Sequence, residues 1–255
     1  MRNIVFILMS TILLLFACSV AEPVSQIKAS DENHKNFAEL VDGAEVHEGF
    51  FDFYIVDDKL YIAVSQEQID EDFLIEYKIA KGVGANMLFG GLMLSSLENS
   101  KIYAIEEHRN RLYLVQRPHR FKATENKQAA LATELSYSSS VVNAAEIISM
   151  RSDSSYVADV TDWFVSDLSN ISERIKNALT TESTKGTASL DSEKSYLESV
   201  NSFPDNVNIR AKLTYTPSEK VDWPSVPDGR FLPLTIHYTL ARLPEKPMTP
   251  RYADD

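Results

Sequence analysis

Histidines are the first residues to test for chemistry, because imidazole is a common zinc ligand and general base. The chain has five: His34, His47, His108, His119 and His237. A His-Glu-x-x-His motif would place two imidazoles on one helix face beside a carboxylate base. His47 and Glu48 begin that pattern, but Phe51 stands where the second histidine is needed, and no two histidines have this spacing. The spacing predicts no metal site, and we interpret all five as solvated surface side chains.

Neither a serine nucleophile nor a phosphate-binding loop is indicated. No serine stands in the Gly-x-Ser-x-Gly sequence of a nucleophile elbow. The serines at 138–140 lie in a strand-like run, which favours a polar surface. Gly82 and Gly84 begin a Gly-x-Gly sequence, but Met87 stands where the dinucleotide fingerprint needs its third glycine. We therefore interpret these glycines as part of an ordinary loop.

Two acidic clusters remain as candidates for acid–base catalysis, at 70–72 and at 254–255. Neighbouring carboxylates are common on solvated turns, and neither cluster has an evident catalytic partner in the sequence. The residues alone therefore predict no catalytic site in this chain.

The first 21 residues have the pattern of an export signal. Arg2 supplies the positive charge, and an apolar stretch over 4–16 is too short to span a bilayer as a helix. Two cleavage sites are possible. The sequence at 15–18 resembles a bacterial lipobox, in which Cys18 becomes the lipid-modified first residue; the sequence at 19–21 suits ordinary signal peptidase. We favour lipid attachment, because Cys18 is the single cysteine in the chain and follows the apolar stretch directly.

Composition is that of a globular, acidic protein. Hydrophobic residues make up 44% of the chain, and the formal net charge is −12. Such a surface repels phosphate backbones, so nucleic acid is not expected as a partner. With Cys18 at the leader, the mature protein has no disulfide.

Strand patterns dominate the rest of the chain. Residues 22–45 are polar without a clear period and are expected to form a flexible tether. Beyond them we predict strands and two helices, with glycine-rich, polar or proline-rich connections. The predicted strands are 51–56, 60–64, 73–80, 102–106, 112–116, parts of 135–150, 156–160, 207–215 and 231–240. A helical turn at 143–146 and an edge or initial position for Pro233 are also expected.

The helices are predicted to begin at Thr161 or Asp162 and to continue over 171–179, where Ile171, Ile175 and Leu179 recur every four residues. Residues 195–200 remain ambiguous. Hairpin-like succession of strands with few helices predicts a mainly β fold: an antiparallel sandwich or open barrel with a few short helices.

The order of several short segments resembles the N-terminal region of exported bacterial zinc-dependent metallopeptidases that are metzincin-like in their catalytic motif. The segments are Gly49-Phe50-Phe51-Asp52-Phe53-Tyr54, Lys59-Leu60-Tyr61, Asp72-Phe73-Leu74, Gly82-Val83-Gly84, Asp159-Val160-Thr161, Ser166-Asp167, Phe203-Pro204-Asp205-Asn206-Val207, His237-Tyr238, Leu243-Pro244 and Met248 to Asp255. Two departures stand out: Leu92-Met93 replace an Asp-Arg pair, and Thr239 replaces a serine.

The resemblance implies a structural role for seven positions: Gly82, Gly84, Asp159, Pro204, Asn206, Arg251 and Asp254. It also implies that zinc belongs to a catalytic domain beyond Asp255, with a His-Glu-x-x-His-x-x-Gly-x-x-His motif. Residues 46–255 would then be the β-rich N-terminal part of a longer protein, incomplete at its C-terminus. We expect no catalytic residue, metal ligand or cofactor here, and no activity of its own.

Two functional hypotheses follow. In the first, the chain is a non-catalytic scaffold or prodomain-like region of a zinc-metallopeptidase-like lipoprotein, with the catalytic domain and the membrane as partners. In the second, it is a freestanding periplasmic module that binds a peptide or glycan. Both place it on the periplasmic side of the cell envelope, where an N-terminal lipid would hold it, with the outer membrane as the expected site.

Overall fold

The computed structural model describes residues 35–94, 101–119, 126–180 and 186–246. Eleven strands pair antiparallel in one sheet that curls into a half-barrel, in the order β1-β2-β3-β8-β7-β6-β5-β4-β11-β10-β9. The strands are β1 (Glu45–His47), β2 (Asp52–Val56), β3 (Lys59–Val64), β4 (Phe73–Lys81), β5 (Lys101–Glu107), β6 (Arg111–Gln116), β7 (Ser140–Met150), β8 (Tyr156–Asp159), β9 (Ala188–Ser202), β10 (Asn206–Pro217) and β11 (Leu232–Arg242). The helices are α1 (Phe37–Leu40), α2 (Lys127–Ser136), α3 (Thr161–Phe164) and α4 (Ile171–Leu179). The predicted β-rich antiparallel class is confirmed.

The predicted strands at 51–56 and 60–64, and those at 102–106 and 112–116, form two hairpins, and left-handed turn residues explain why. Asp57, between β2 and β3, has φ of 53°. Arg109 and Asn110, between β5 and β6, have φ of 50° and 63°. Two consecutive positive-φ residues match the right-handed twist of paired strands, as in type I′ turns.

The main core covers one face of the sheet, and the alternation of residues in β10 shows this most simply. Alternate residues of β10 are fully buried: Val207, Ile209, Ala211, Leu213 and Tyr215. Their neighbours along the strand face the other way. Helix α4 buries Ile171 and Ile175 in the same core, while Leu179 packs at its margin. The four-residue spacing thus predicted the buried face of α4 correctly.

Strand β7 joins the two halves of the sheet. Its first residues pair with β6 and its last with β8, with register shifts near Leu114 and Ile147. The expected helical turn at 143–146 is therefore wrong, because these residues belong to the β6–β7 ladder. Helix α2, which precedes β7, was not predicted. Its apolar residues Leu131 and Leu135 are exposed, so the segment carries no buried stripe to reveal a period.

Of the two positions expected for Pro233, the initial one is confirmed and the edge one is wrong, and one further expectation needs correction. Strand β11 lies between β4 and β10, so Pro233 is not in an edge strand. It stands near the strand's start, before the β4 ladder begins at Thr235, where its missing N–H disrupts no ladder bond to β4. Residues 180–189 are rich in threonine, serine and lysine, which predicts a loop, but strand β9 begins at Ala188 and includes the ambiguous residues 195–200.

The expected tether over 22–45 ends earlier than predicted. Within its described part, Phe37 and Leu40 of α1 pack against Tyr54 and Tyr61, with Phe37 and Tyr54 in edge-to-face contact at 5.4 Å between ring centroids. Residues 35–45 therefore belong to the folded unit. The leader over 1–21, with Cys18, and residues 22–34 lie outside the described residues. Among the described helices, none has the length and apolar character needed to cross a membrane.

Candidate functional site

The two ends of the sheet come together at one point. Strands β1 and β9 are the first and last in the strand order, yet the backbone N–H of Phe50 donates to the carbonyl of Phe203 at 2.7 Å. The hydroxyl of Ser202 donates to the carbonyl of Phe51, also at 2.7 Å. Gly49 permits this approach, since a Cβ on it would lie 2.5 Å from the Phe203 carbonyl oxygen. These contacts close one end of a seam between the two edges.

Away from that contact the edges diverge around a cavity of about 350 Å³, which we call the seam cleft. It is lined by Glu45, Ile55, Asp57, Asp58, Tyr196, Leu197, Glu198, Ser199, Val200 and Asn201. Four of these residues are carboxylates, and none is a lysine, arginine or histidine. The cleft therefore presents negative charge to whatever enters it.

Both walls of the cleft are strand edges without a second partner among the described strands. There, β1 pairs with β2 alone and β9 with β10 alone. Val46 on β1 and Tyr196 on β9 are each 49% exposed. Unpaired edges with exposed apolar side chains can template a further strand unless something covers them. The seam thus combines backbone hydrogen-bonding capacity, apolar surface and negative charge.

The two edges also run in the same direction. Glu45 lines the cleft together with residues 196–201, while Gly49 and Phe50 contact Ser202 and Phe203, so residue numbers rise together along both walls. A single inserted strand can therefore be antiparallel to both edges at once, which is the more stable pairing per residue.

Sequence reasoning missed the residues of the cleft. Asp57 and Asp58 lie between the predicted strands 51–56 and 60–64 and indicate only a tight turn there, while residues 195–200 are ambiguous. Asp57, Asp58 and Glu198 become neighbours only because the two ends of the sheet meet. A local pattern of residue types carries no signal for that meeting.

Several positions that the resemblance assigned a structural role lie at junctions of the fold. Asp159, at the end of β8, accepts from the backbone N–H of Thr161 at 3.1 Å and from the ammonium of Lys59 at 3.0 Å. Pro204 and Asn206 belong to the β9–β10 turn, where the Asn206 carbonyl accepts from the N–H of Phe203. That turn carries the carbonyl that closes the seam.

The glycine-rich loop after β4 wraps around one carbonyl. The backbone N–H groups of Val83 and Gly84 donate to the Leu88 carbonyl at 2.8 and 3.1 Å. Of the remaining assigned positions, Cys18, Arg251 and Asp254 lie outside the described residues, as does the acidic pair at 254–255.

The acidic cluster at 70–72 is neutralised by arginines. Arg117 forms ion pairs with Asp70, with Asp72 at 3.3 Å and with Glu106 at 2.7 Å. The third member, Glu71, lies 3.4 Å from Arg242. These pairs join the segment before β4 to β5, β6 and β11, which gives the cluster a structural role.

Four of the five histidines are described, and they lie apart. His47 is in β1, with Nε2 3.2 Å from the carboxylate of Glu45. His108 opens the β5–β6 turn, His119 follows β6, and His237 is half-buried on β11. The expectation that these histidines are solvated is therefore wrong for His237 and also for His47, whose side chain is 16% exposed. Within the described ranges, no cluster of three His, Cys, Asp or Glu side chains is arranged to hold a metal ion.

A polar group inside the core was also missed. Asp167 caps α4 by accepting from the backbone N–H groups of Ile171 and Ser172, at 2.7 and 3.1 Å. It also accepts from the hydroxyl of Tyr215 at 2.7 Å. Burial and the adjacent Asp167 carboxylate both raise the pKa of Tyr215, which keeps this phenol a hydrogen-bond donor. The group fixes α4 against β10.

Comparison with known proteins places two family regions on the chain. Residues 34–82 match the family described as domain of unknown function DUF5118, and residues 96–255 match the family described as domain of unknown function DUF5117. A search of the curated proteins found no match, and a search of the solved structures found none either. The first region carries α1 and β1 to β4, and the second carries β5 to β11. Because the second match spans more than half of the chain, the protein belongs to the DUF5117 family.

Proposed function

We propose that this protein is a non-catalytic binding scaffold whose seam cleft holds an extended peptide segment rich in lysine or arginine. The observation that carries the proposal is the pair of unpaired strand edges that face each other across four carboxylates. A segment added to such an edge gains main-chain hydrogen bonds, and the side chains around it select its sequence.

Charge and shape favour a basic, extended occupant. Glu45, Asp57, Asp58 and Glu198 would each be stabilised by a nearby cation, whereas an acidic segment would be repelled. Val46 and Tyr196 offer apolar contact to alternate side chains of an added strand. The cleft volume of about 350 Å³ admits only a short stretch of chain.

The wider role that we propose follows the family resemblance. The scaffold would serve an exported zinc-metallopeptidase-like lipoprotein, as a prodomain-like cover for its catalytic domain, with Cys18 carrying the lipid. Two segments of the resemblance, 49–54 and 203–207, meet at the closed end of the seam, which supports a shared role for them. The catalytic domain would supply the basic segment, and zinc would belong to that domain.

A freestanding peptide- or glycan-binding module is the second candidate. The half-exposed ring of Tyr196 favours it, because an aromatic ring beside polar groups suits a sugar face as well as a peptide side chain. In this case the occupant would come from a separate molecule.

The cleft is tested by binding of fluorescent eight-residue peptides measured by anisotropy. We expect an alternating Lys/Val peptide to bind, and binding to weaken as salt rises. The same peptide with Glu for Lys, or with proline at alternate positions, should not bind, because it loses charge complementarity or backbone donors. A panel of sugars tests the second candidate in the same assay by competition.

Matched variants locate the binding. The triple change Asp57→Asn, Asp58→Asn and Glu198→Gln should lower the affinity for the Lys/Val peptide by about tenfold or more. A tenfold loss corresponds to about 1.4 kcal/mol of binding free energy. Glu134→Gln, on the exposed helix α2, should leave affinity unchanged. Equal affinity of the triple variant and the unchanged protein would refute the cleft as the binding site.

The wider role has two separate tests. Labelling of cells with a fatty-acid analogue should mark the protein, and Cys18→Ala should abolish the label. The DNA beyond the codon for Asp255 should encode a His-Glu-x-x-His-x-x-Gly-x-x-His motif in a continuing or shifted frame. A stop codon followed by an unrelated gene would count against the metallopeptidase role but would not bear on peptide binding in the seam cleft.

A further inference from the structure

Four cations cluster on the outer face of the sheet, on the side away from the core. Arg210, His237 and Lys78 stand directly opposite one another across β10, β11 and β4. One step along the same strands, Lys212, Thr235 and Lys81 form a second row. We call Lys78, Lys81, Arg210 and Lys212 the cationic face.

These four side chains make no ion pair among the described residues. Arg210 donates through Nε to Nδ1 of His237 at 3.4 Å, and the ammonium of Lys212 lies 5.5 Å from the ring centre of Tyr196. Elsewhere on the described sheet, arginines such as Arg117 and Arg151 gather two or three carboxylates each. A group of cations without a carboxylate ion-pair partner is available to an anionic ligand, even in a chain of net charge −12.

The second row lines a partly open pocket. A cavity of about 270 Å³ lies over Lys81, Lys212 and Thr235. The glycine-rich loop and the proline-rich connection from β10 to β11 form its walls, with accessible apolar surface from Val226, Pro227 and Pro233. One carboxylate, that of Glu198, reaches the pocket and accepts from the hydroxyl of Thr235 at 3.2 Å. The pocket thus offers two cations beside an apolar wall.

The pKa of His237, in the first row, is affected by the charges of the cationic face. Burial lowers the pKa of His237, and the adjacent cations Lys78 and Arg210 lower it further. The other groups around it, Glu76 and Thr239, line a smaller cavity with Lys78 and Met93. His237 is therefore neutral at pH 7, and an anion bound nearby would make its protonation easier.

We propose that this outer pocket binds an oxyanion, a carboxylate or phosphate, carried on a small apolar body. The oxyanion lies between the ammonium groups of Lys81 and Lys212, and the apolar body lies against the proline-rich connection. Charge-assisted contacts from two cations stabilise the anion, while the apolar walls distinguish an organic anion from inorganic salt. The proposal is independent of the seam cleft and of the metallopeptidase resemblance.

A pocket of about 270 Å³ with an apolar side suits a small organic anion better than an acidic protein surface. An acidic partner would instead contact the exposed cations Lys78, Lys81 and Arg210 without filling the pocket. Polyglutamate is therefore the probe for the alternative. Binding of polyglutamate without binding of small organic anions would overturn the proposal.

Isothermal titration with four small anions tests the pocket directly. Hexanoate and hexyl phosphate should bind, and acetate and inorganic phosphate should bind at least about tenfold more weakly because they lack the apolar body. Hexanoate and hexyl phosphate together distinguish the two headgroups. Equal affinity for all four anions, or no binding of the hexyl compounds, would overturn the proposal.

Matched lysine variants locate the ligand. The double variant Lys81→Met and Lys212→Met keeps the apolar stems of both side chains but removes their charges. It should lower the affinity for the hexyl anion by about tenfold or more. Lys127→Met, on α2, is the control and should change nothing. A histidine titration by NMR adds a second measurement: the pKa of His237 should rise when the hexyl anion is bound and should stay unchanged in the double variant with the same anion. An unchanged His237 pKa in the unaltered protein at saturating anion would contradict binding at this face.

Glu198 separates this pocket from the seam, because it lines both cavities. Glu198→Gln removes a negative charge from each. This variant should raise the affinity of the outer pocket for the hexyl anion and lower the affinity of the seam cleft for the basic peptide. Weaker binding of both ligands would contradict the assignment of the outer pocket, whereas tighter anion binding with an unchanged peptide would contradict only the cleft.

Discussion

Two neighbouring glycines in the loop after β4 are needed for different physical reasons. A Cβ on Gly82 would lie 2.2 Å from the Leu88 carbonyl oxygen, inside any permitted contact distance. Gly84 has open space around it, with Ser225 at 3.7 Å, but its φ is +72°. A side chain is therefore excluded at Gly82 by close packing and disfavoured at Gly84 by the left-handed backbone conformation. The sequence predicted a loop here but not this division of roles.

Gly82→Ala should therefore destabilise the protein more than Gly84→Ala. We expect a loss of about 1–3 kcal/mol in the free energy of unfolding for Gly82→Ala, because backbone must move to admit the methyl group. For Gly84→Ala we expect about 1 kcal/mol, the cost of a left-handed alanine. Urea unfolding followed by circular dichroism measures both. A reversed order would contradict the close approach of Leu88.

Asp159 connects three elements at the point where β8 passes into α3. Its carboxylate binds the start of α3 through Thr161 and the start of β3 through Lys59, while the Thr161 hydroxyl accepts from the N–H of Leu60 at 2.8 Å. Burial alone would raise the pKa of Asp159, but hydrogen bonds from Thr161 and Lys59 outweigh it and hold the pKa below its usual 3.8. The charged form therefore stabilises this junction.

Asp159→Ala should lower the free energy of unfolding at pH 7 by about 1.5–3 kcal/mol, through loss of hydrogen bonds to a charged group. Because the folded pKa lies below the unfolded value, the carboxylate stabilises the fold above pH 4 and loses this effect as pH falls through the folded pKa. The difference between the two proteins should thus shrink below pH 4. Urea unfolding at several pH values tests this, with exposed Asp222→Ala as the control. A difference independent of pH down to pH 2 would contradict it.

Elements were predictable where their residues carry a period or a turn signal. The alternation in β10 and the four-residue spacing in α4 both report burial on one side, and the β2–β3 and β5–β6 hairpins carry suitable turn residues. Helix α2 and strand β9 carry neither signal. The sequence of α2 is rich in helix formers such as Gln128, Ala129 and Ala130, so propensity alone was the available indication. Strand β9 is polar and bulged. At the bulge the backbone N–H of Thr214 donates to the side-chain hydroxyl of Ser195 instead of to a backbone carbonyl of β9.

At the scale of the whole molecule, the two family regions interlock in one sheet. Strand β4, from the 34–82 region, lies between β5 and β11 of the 96–255 region. Strand β3, also from the first region, pairs with β8 of the second. Neither region can complete its ladders or its core alone. The boundary between the matched families is therefore not a boundary between folding units.

Expression of the two regions separately should confirm their dependence on each other. Residues 34–82 alone and residues 96–255 alone should each lack a cooperative thermal transition, because buried residues such as Ile75 and Tyr238 lose their partners. Their co-expression should restore a complex with the transition of the joined chain. Circular dichroism and gel filtration measure this. A cooperative transition in either fragment by itself would contradict the interlocked core.

The sequence by itself determined the fold class, most of the strands, the buried faces of β10 and α4, and the positions of two hairpin turns. These are local properties, since each depends on residues a few positions apart in the chain. Only the tertiary structure decided that β1 and β9 meet, that Asp57, Asp58 and Glu198 share one cleft, and that Lys78, Lys81, Arg210 and Lys212 share one face. Residues far apart in the chain become neighbours through the curl and strand order of the sheet, and no local pattern encodes either.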